Sequence, residues 1–385
     1  MLMCRRRFTL PTSFLLLTSL LLVTAIVILT RESYSAVDQD FFILDSNSSV
    51  QTIIRDSKTE NDSNSSDSMW KNFTREVTVD SDACGGLANM IFRIASLYGI
   101  SRKLERTPFL WNECALEYQL ELNAYFPNTA GLEFRTSLTN FTPVSFGNQD
   151  WTKDNYRNLQ NVSSEPSIQI SGMYLQSFKY FDQYKDEIRK IFDGSEDMKN
   201  FLKSYLEKVF PNITSHKLCV HARRGFDGHY MISTEPHFTL QATKKISEYL
   251  LESLKLTQID AIIFSDDRDF ATLASDIIMN RTRIEKVHAS VLLNRAEEMI
   301  MAHNFCDSFI LTSTGSTFGW WMAYLMREKA QKRVFYNGLI FKPAARHYME
   351  QNFVEQDYVP PHWTRIQEFN HEVYFYDRRL PSILF

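Results

Sequence analysis

The sequence predicts an α/β fold in which two Rossmann-like domains face each other across a cleft, and three observations carry that expectation. Leu218-Cys219-Val220-His221, Ala261-Ile262-Ile263-Phe264 and Ser308-Phe309-Ile310-Leu311 are short apolar runs of the kind buried on both faces of a parallel sheet. Between them, Phe238 to Leu254, Arg268 to Met279 and Leu292 to Phe305 carry apolar residues at three-and-four spacing, so strand and helix alternate as in a doubly wound sheet. A comparable pattern covers Gly85 to Leu104, and the irregular stretch from Tyr118 to Pro166 separates the two, which calls for a second α/β unit.

The N-terminal region has a different character. From Leu10 to Thr30 the chain carries no charge, long enough as a helix to span roughly 30 Å of hydrocarbon, and rather long for a cleavable signal core. Arg5, Arg6 and Arg7 precede it, so the positive-inside bias puts residues 1–9 in the cytosol as a short tail, 10–30 in the membrane as a signal anchor, and the rest in the lumen. Residues 31–76, rich in Ser, Asn, Asp and Thr without an apolar period, read as a disordered stem. Asn47, Asn61, Asn64 and Asn72 open glycosylation sequons there, and Asn140, Asn161, Asn212 and Asn280 do so further on, in agreement with a lumenal orientation.

Charge excludes one function class. With a net charge of -4 and no basic run beyond Arg5 to Arg7, the chain lacks the basic face that nucleic acid requires. Cys84, Cys114, Cys219 and Cys306 form an even lumenal set with three possible pairings. Proximity favours Cys84 with Cys114, leaving Cys219 and Cys306 paired across neighbouring strands or buried as free thiols. No spacing suggests zinc.

Chemistry concentrates at two places. In Cys219-Val220-His221-Ala222-Arg223-Arg224-Gly225 an apolar strand runs directly into a histidine and two arginines. Ligands of open α/β sheets sit beyond the carboxyl ends of strands, and a guanidinium fork matches phosphate oxygens in pairs. The second place is Thr312-Ser313-Thr314-Gly315-Ser316-Thr317-Phe318-Gly319, a small-residue loop between the strand Ser308 to Leu311 and a helical Trp320 to Met326. Such a loop lets backbone N–H groups and a helix N-terminus approach an anion.

Taken in order, Gly85-Gly86-Leu87-Ala88-Asn89-Met90-Ile91-Phe92, His-x-Arg-Arg at His221 to Arg224, Ser265-Asp266-Asp267 and Gly315-Ser316-Thr317-Phe318-Gly319 before a Trp-rich helix resemble the motifs of family 11 glycosyltransferases, the α-1,2-fucosyltransferases, over about residues 83 to 345. The resemblance implies a GT-B-like fold and an inverting, metal-independent transfer of fucose from GDP-fucose, usually to galactose on a glycan, in the Golgi lumen. It implies an acceptor-side domain over 77–205, a GDP-fucose-binding domain over 206–345, and a C-terminal segment over 346–385 that packs back on the fold. By similarity Arg223 holds the β-phosphate, Arg224 and Asp227 join it in the catalytic group, and His221 lies against guanine or ribose. Ser316, Thr317 and Phe318 line the diphosphate, Glu298 meets the guanine donors, and Asn89 reaches the donor from the other domain. Two departures stand out: Phe226 separates Gly225 from Asp227, where the family reads Arg-Arg-Gly-Asp, and Ala88 stands where glycine is frequent.

Asp80-Ser81-Asp82 and Asp267-Arg268-Asp269 have the Asp-x-Asp form that binds a divalent cation in another glycosyltransferase class, although carboxylates at a helix start have a purely local role too. Inversion asks for a base on the acceptor hydroxyl, and Asp227, His229, His237 and Glu113 are the available groups. Two other functions compete: fucosyl transfer to a protein or a different sugar, and a membrane-anchored carbohydrate-binding protein without activity.

Overall fold

The strands and helices form in the expected order wherever the apolar pattern is long enough to read. The computed structural model describes residues 69–80, 85–111, 113–148, 151–225, 230–345, 349 and 352–376. The expected anchor from Leu10 to Thr30 lies outside them, and among the described residues no helix is long and apolar enough to cross a membrane.

The first sheet has five parallel strands in the order β3-β2-β1-β5-β4. They are β1 (Glu76–Val79), β2 (Thr107–Trp111), β3 (Glu133–Arg135), β4 (Thr142–Val144) and β5 (Ser167–Ile170). Helix α1 (Leu87–Leu104) follows β1 and is buried along most of its length, ending where Glu105 turns left-handed at φ 52°. Helix α2 (Glu113–Tyr125) follows β2. The supposed separator between Tyr118 and Pro166 is therefore part of this sheet, because it holds the end of α2 and the strands β3 and β4. Each of those strands is only three residues long, too short for an alternating pattern, and β4 contains Pro143, which an edge strand tolerates.

Helices α3 (Lys185–Ile191) and α4 (Glu196–Val209) lead to the second sheet, ordered β12-β11-β10-β9-β6-β7-β8. Its elements run β6 (His216–Ala222), α5 (Pro236–Ser253), β7 (Ile259–Ser265), α6 (Arg268–Arg281), β8 (Lys286–Ala289), α7 (Arg295–Phe305), β9 (Ser308–Leu311), α8 (Thr317–Leu325), β10 (Val334–Asn337), α9 (Glu355–Tyr358), β11 (Thr364–Phe369) and β12 (Glu372–Tyr376). All neighbours are parallel except the hairpin β11–β12. Local chemistry starts each helix: Pro236 occupies the first turn of α5, the Asp267 carboxylate accepts from Phe270 N at 2.9 Å to cap α6, and Asn294 with Glu297 closes a capping box on α7.

Alternation along β6 shows why this sheet is covered on both sides. Leu218 and Val220 pack with Phe238, Ala242 and Ile246 of α5, whereas Cys219 belongs with Met299 and Ile300 of α7 in the larger core. That larger core runs without a break from Val77 and Ile168 of the first sheet to Phe309 and Leu311 of the second. At its centre Phe92 of α1 sits 4.5 Å from the Trp320 ring and 4.9 Å from the Trp321 ring of α8. The described residues accordingly fall in one compact unit, Ser63–Phe385, in which the two sheets share a core.

Two expected boundaries move. The fold begins before residue 77, since Trp70 is buried and its indole N–H donates to Asn128 O at 2.9 Å. At the other end, β11 and β12 extend the second sheet itself, while Ser177 and Lys179, beside the first sheet, bind Asp357 of α9. The C-terminal segment thus fastens both sheets together. Asn72, Asn140, Asn161, Asn212 and Asn280 are all exposed, as glycosylation requires.

Cys219 and Cys306 are joined by a disulfide with their Cα atoms 5.8 Å apart, tying β6 to the segment that enters β9. Cys114 is likewise disulfide-bonded, and its expected partner Cys84 lies outside the described residues. The Cys219–Cys306 bridge closes a separation of 87 residues, for which chain entropy alone gives a stabilisation of about 4–5 kcal/mol. The double replacement Cys219→Ser, Cys306→Ser is expected to lose a large part of this. Thermal unfolding against the parent chain checks it; an unchanged midpoint would show that the bridge contributes nothing.

Candidate active site

β6 is the first strand of the second sheet in the chain but an interior strand in space. The chain leaves it on one side through β7 and β8, then returns to place β9 on the other. Crossovers on the two sides of β6 therefore depart in opposite directions, and the crevice this opens lies beyond the carboxyl ends of β6 and β9. His221 pairs in register with Leu311 across those two strands. The arginine motif and the Thr312 to Gly319 loop, separate in sequence, thus leave from adjacent strands into one crevice.

Thr234 locks the two together. Its buried hydroxyl accepts from Arg223 N at 2.7 Å and lies 2.8 Å from the Thr312 hydroxyl, while Thr312 Oγ1 donates to His221 O at 2.8 Å. Nothing in the sequence singles out Thr234, because its role depends on a return of the chain before Pro236. Asp266, just past β7, holds the arginine turn from the other side. Its carboxylate accepts from the backbone N–H groups of Arg224 at 2.8 Å and Gly225 at 2.9 Å, and its Oδ2 lies 3.2 Å from Arg223 Nη1. Charged acceptors of this kind make the stronger hydrogen bonds. Asp266 is thus a clamp on the turn, and Asp267 caps α6.

The two arginines do different things. Arg224 Nη1 donates to Thr234 O at 2.6 Å and its guanidinium stacks 5.1 Å over the Phe270 ring, while 36% of its side chain stays exposed. Arg223 keeps 37% of its side chain exposed and is held in place by Asp266 at the mouth of the crevice. Asp227, expected beside them, and His229 lie outside the described residues.

His221 is not a surface contact. Burial holds its imidazole neutral, with the pKa pushed down to about 4, and its ring rests against the first turn of α8, 5.9 Å from the Phe318 ring. A Cβ at Gly319 would fall 2.4 Å from His221 Nδ1, so this close approach of helix and strand requires glycine. The imidazole therefore packs under the helix entrance, with its Nδ1 buried and without a hydrogen-bond partner among the described residues.

The hydroxyl-rich loop also divides its labour. Thr312 is spent on His221 O, Ser313 donates to Ile232 O at 2.6 Å, and Thr314 donates to Asn337 O at 2.7 Å. Ser316 caps α8 by accepting from Gly319 N at 3.4 Å. Helix geometry gives the N–H groups of Thr317 and Phe318 no acceptor inside the helix, and both residues are half-exposed. Those donors, with the partial positive charge of the helix start, are what the loop offers an anion.

Glu298, in the first turn of α7, is 8% exposed. Burial raises its carboxyl pKa to about 8, against the downward pull of Ser290 and Arg268. It therefore stands on the β7–β8 flank of the arginine turn, beyond the same carboxyl edge. Asn89, in the first turn of α1, accepts from Gln176 Nε2 at 2.9 Å. The Phe92–Trp320 contact lies within about one and a half turns of both helix starts, so the N-terminal turns of α1 and α8 meet. The turn before α1 takes its positive φ at Gly85, +64°; Ala88 is already helical and needs no glycine. One turn beyond Asn89, Arg93 is 1% exposed, donates from Nε to Met173 O at 3.1 Å, and lies 5.5 Å from the Tyr174 ring. An arginine inside the apolar run Met90 to Ala95 was the signal available for it.

The remaining base candidates separate. Glu113 is exposed at the start of α2, and His237 Nδ1 is paired with Glu368 Oε1 at 3.0 Å.

With this geometry in view, the family model described as Glycosyl transferase family 11 matches residues 49–366. The chain belongs to glycosyl transferase family 11. Similar proteins in Caenorhabditis elegans include a putative galactoside 2-alpha-L-fucosyltransferase, svh-11, which is 27% identical over 294 residues covering 73% of this chain and 76% of its own. A galactoside 2-alpha-L-fucosyltransferase of the same organism is 24% identical over 312 residues, covering 74% and 75%. Among solved structures, a variant of Arabidopsis thaliana FUT1 in complex with GDP is similar over 72% of this chain and 75% of that one, at 12% identity and a TM-score of 0.45. As a member of family 11 the chain is a glycosyltransferase, and the crevice beyond β6 and β9 is its candidate active site.

Proposed function

We propose that this glycosyltransferase moves fucose from GDP-fucose to a glycan, with the 2-hydroxyl of galactose as acceptor. The observation that carries the proposal is that the Arg223 turn and the loop leading to the Thr317–Phe318 helix start leave the carboxyl ends of two adjacent strands, β6 and β9, at the switch point of the second sheet. The names of the C. elegans relatives support the choice of sugar and acceptor.

In the transfer, the acceptor oxygen forms a bond to the anomeric carbon from the face opposite the nucleotide, and the bond from that carbon to the β-phosphate oxygen breaks. Its electron pair leaves with GDP, and the acceptor proton passes to a base or to water. Charge grows on the departing diphosphate, where a fixed guanidinium and a helix N-terminus stabilise the transition state more than the ground state. This arrangement supplies by itself the cationic charge that a metal supplies elsewhere, so the proposed reaction is metal-independent. A lumenal setting, with residues 10–30 as anchor, is supported by the exposed sequons and by the buried Cys219–Cys306 disulfide, which forms in an oxidising compartment.

The test is incubation of the full-length chain with GDP-fucose and a panel of β-galactosides, followed by linkage analysis. A product carrying fucose on the galactose 2-hydroxyl is expected. Fucose on another hydroxyl or on protein would overturn the acceptor, and sugar binding with no GDP release would overturn the enzyme.

A further inference from the structure

On the same carboxyl edge of the second sheet, three metal-ligating side chains come together that the transfer site does not use. His237 is in the first turn of α5, Glu368 is near the end of β11, and His371 is in the two-residue turn Asn370-His371 that joins β11 to β12. One ligand atom from each lies within 4.8 Å of the others, and this is the group with that property among the described residues. Glu368 Oε1 is 3.0 Å from His237 Nδ1 and 3.8 Å from His371 Nδ1, and the two imidazole centroids are 5.2 Å apart.

Tertiary packing sets these distances. The hairpin lies along α5, with Phe375 of β12 4.9 Å from Tyr249 at the far end of the helix. At the near end Asn370 and His371 both take positive φ, 47° and 62°, the conformation of a tight hairpin turn, which aims His371 back at His237. A tetrahedral zinc ion about 2.0–2.1 Å from each ligand needs ligand atoms about 3.3 Å apart. Two of the separations, 3.0 and 3.8 Å, bracket that value and the third pair lies within 4.8 Å, so side-chain rotation at the exposed histidines completes the site. Two imidazoles and one carboxylate are a zinc donor set, with a fourth position open to water. Metal at His237 Nδ1 leaves Nε2–H to be satisfied, and Gln241 lies 3.5 Å from Nε2, where turning its amide over presents the oxygen. The helix start opposes a cation by its partial charge, and the Glu368 carboxylate offsets it.

We propose that His237, Glu368 and His371 bind a zinc ion that clips the β11–β12 hairpin to the start of α5. The consequence reaches the transfer site by structure rather than by chemistry. His237 is three residues beyond Thr234, which holds both Arg223 and Thr312, so the clip steadies the base of the arginine turn.

The full-length chain, stripped with a chelator and dialysed, is titrated with Zn2+ against a chromophoric competitor, and its thermal unfolding is followed with and without the ion. One zinc per chain and a raised midpoint are expected. His371→Gly, which removes a ligand from an exposed turn and suits its positive φ, is expected to weaken zinc about tenfold or more and to abolish the shift in midpoint. His237→Ala is expected to do the same. No uptake by the parent chain, or uptake unaltered by both replacements, would overturn the site. Tighter binding of Mn2+ than of Zn2+ would overturn the assignment of the metal, since a donor set rich in imidazole favours zinc.

Discussion

Arg223→Lys is expected to lower kcat/KM for transfer by about a hundredfold, and Arg223→Ala by about a thousandfold, the range seen when one preorganised donor to a developing oxyanion is removed. Lysine keeps the charge but loses the planar fork that engages two phosphate oxygens, and its ammonium lacks the geometry by which Asp266 holds Arg223 at 3.2 Å. Because the diphosphate is more highly charged in the transition state than in the bound donor, kcat should fall further than KM rises. Arg224→Lys gives the contrast: its guanidinium serves Thr234 O and the Phe270 ring, so its loss should lower the unfolding midpoint more than the turnover of the folded fraction. Steady-state kinetics alongside thermal unfolding separates the two. Full activity in Arg223→Lys would remove this residue from the leaving-group site.

GDP affinity is expected to rise about tenfold per pH unit up to about pH 8 and then level off, with Glu298 as the cause. Burial places its carboxyl pKa at about 8, so in the free chain it is protonated below that pH. The N1–H and N2–H groups of guanine are both donors and call for the ionised form, so binding expels a proton. The comparison with Glu298→Gln isolates this effect from titration of the diphosphate, because the amide cannot release a proton and its pH dependence should be flatter. Isothermal titration in two buffers of different ionisation enthalpy counts the protons directly. Equal proton release by the two proteins would place Glu298 away from guanine. A separate consequence has a definite sign: since the folded value lies above the ordinary 4.5, this group's contribution to stability is present at low pH and is lost as pH rises through about 8.

Legibility in the sequence followed element length. The strands that became β6, β7 and β9 were readable because each carries at least three consecutive apolar residues between turns, and the helices between them run for eleven residues or more. β3 and β4 were not readable, because three residues at a sheet edge contain no period. At the site, His221, Arg223 and the Ser316 to Phe318 turn stood out by residue type at a strand or helix end. Their division of labour did not. His221 packs under Gly319, Arg224 bonds Thr234 O, and Asp266 clamps the turn, contacts that each depend on a partner at least ten residues distant.

What the sequence determined alone was the local half of the chemistry: which strand tip carries guanidinium groups, which loop is small enough to start a helix beside an anion, and where apolar runs can be buried. Tertiary structure alone decided that the two meet. β6 and β9 are adjacent only because the chain reverses its direction of winding after β8, and hydrogen bonding between parallel strands, unlike a helical turn, joins residues with no fixed separation in sequence. The same is true of Thr234, of the Phe92–Trp320 contact that brings Asn89 to α8, and of the histidines that meet across α5 and the last hairpin.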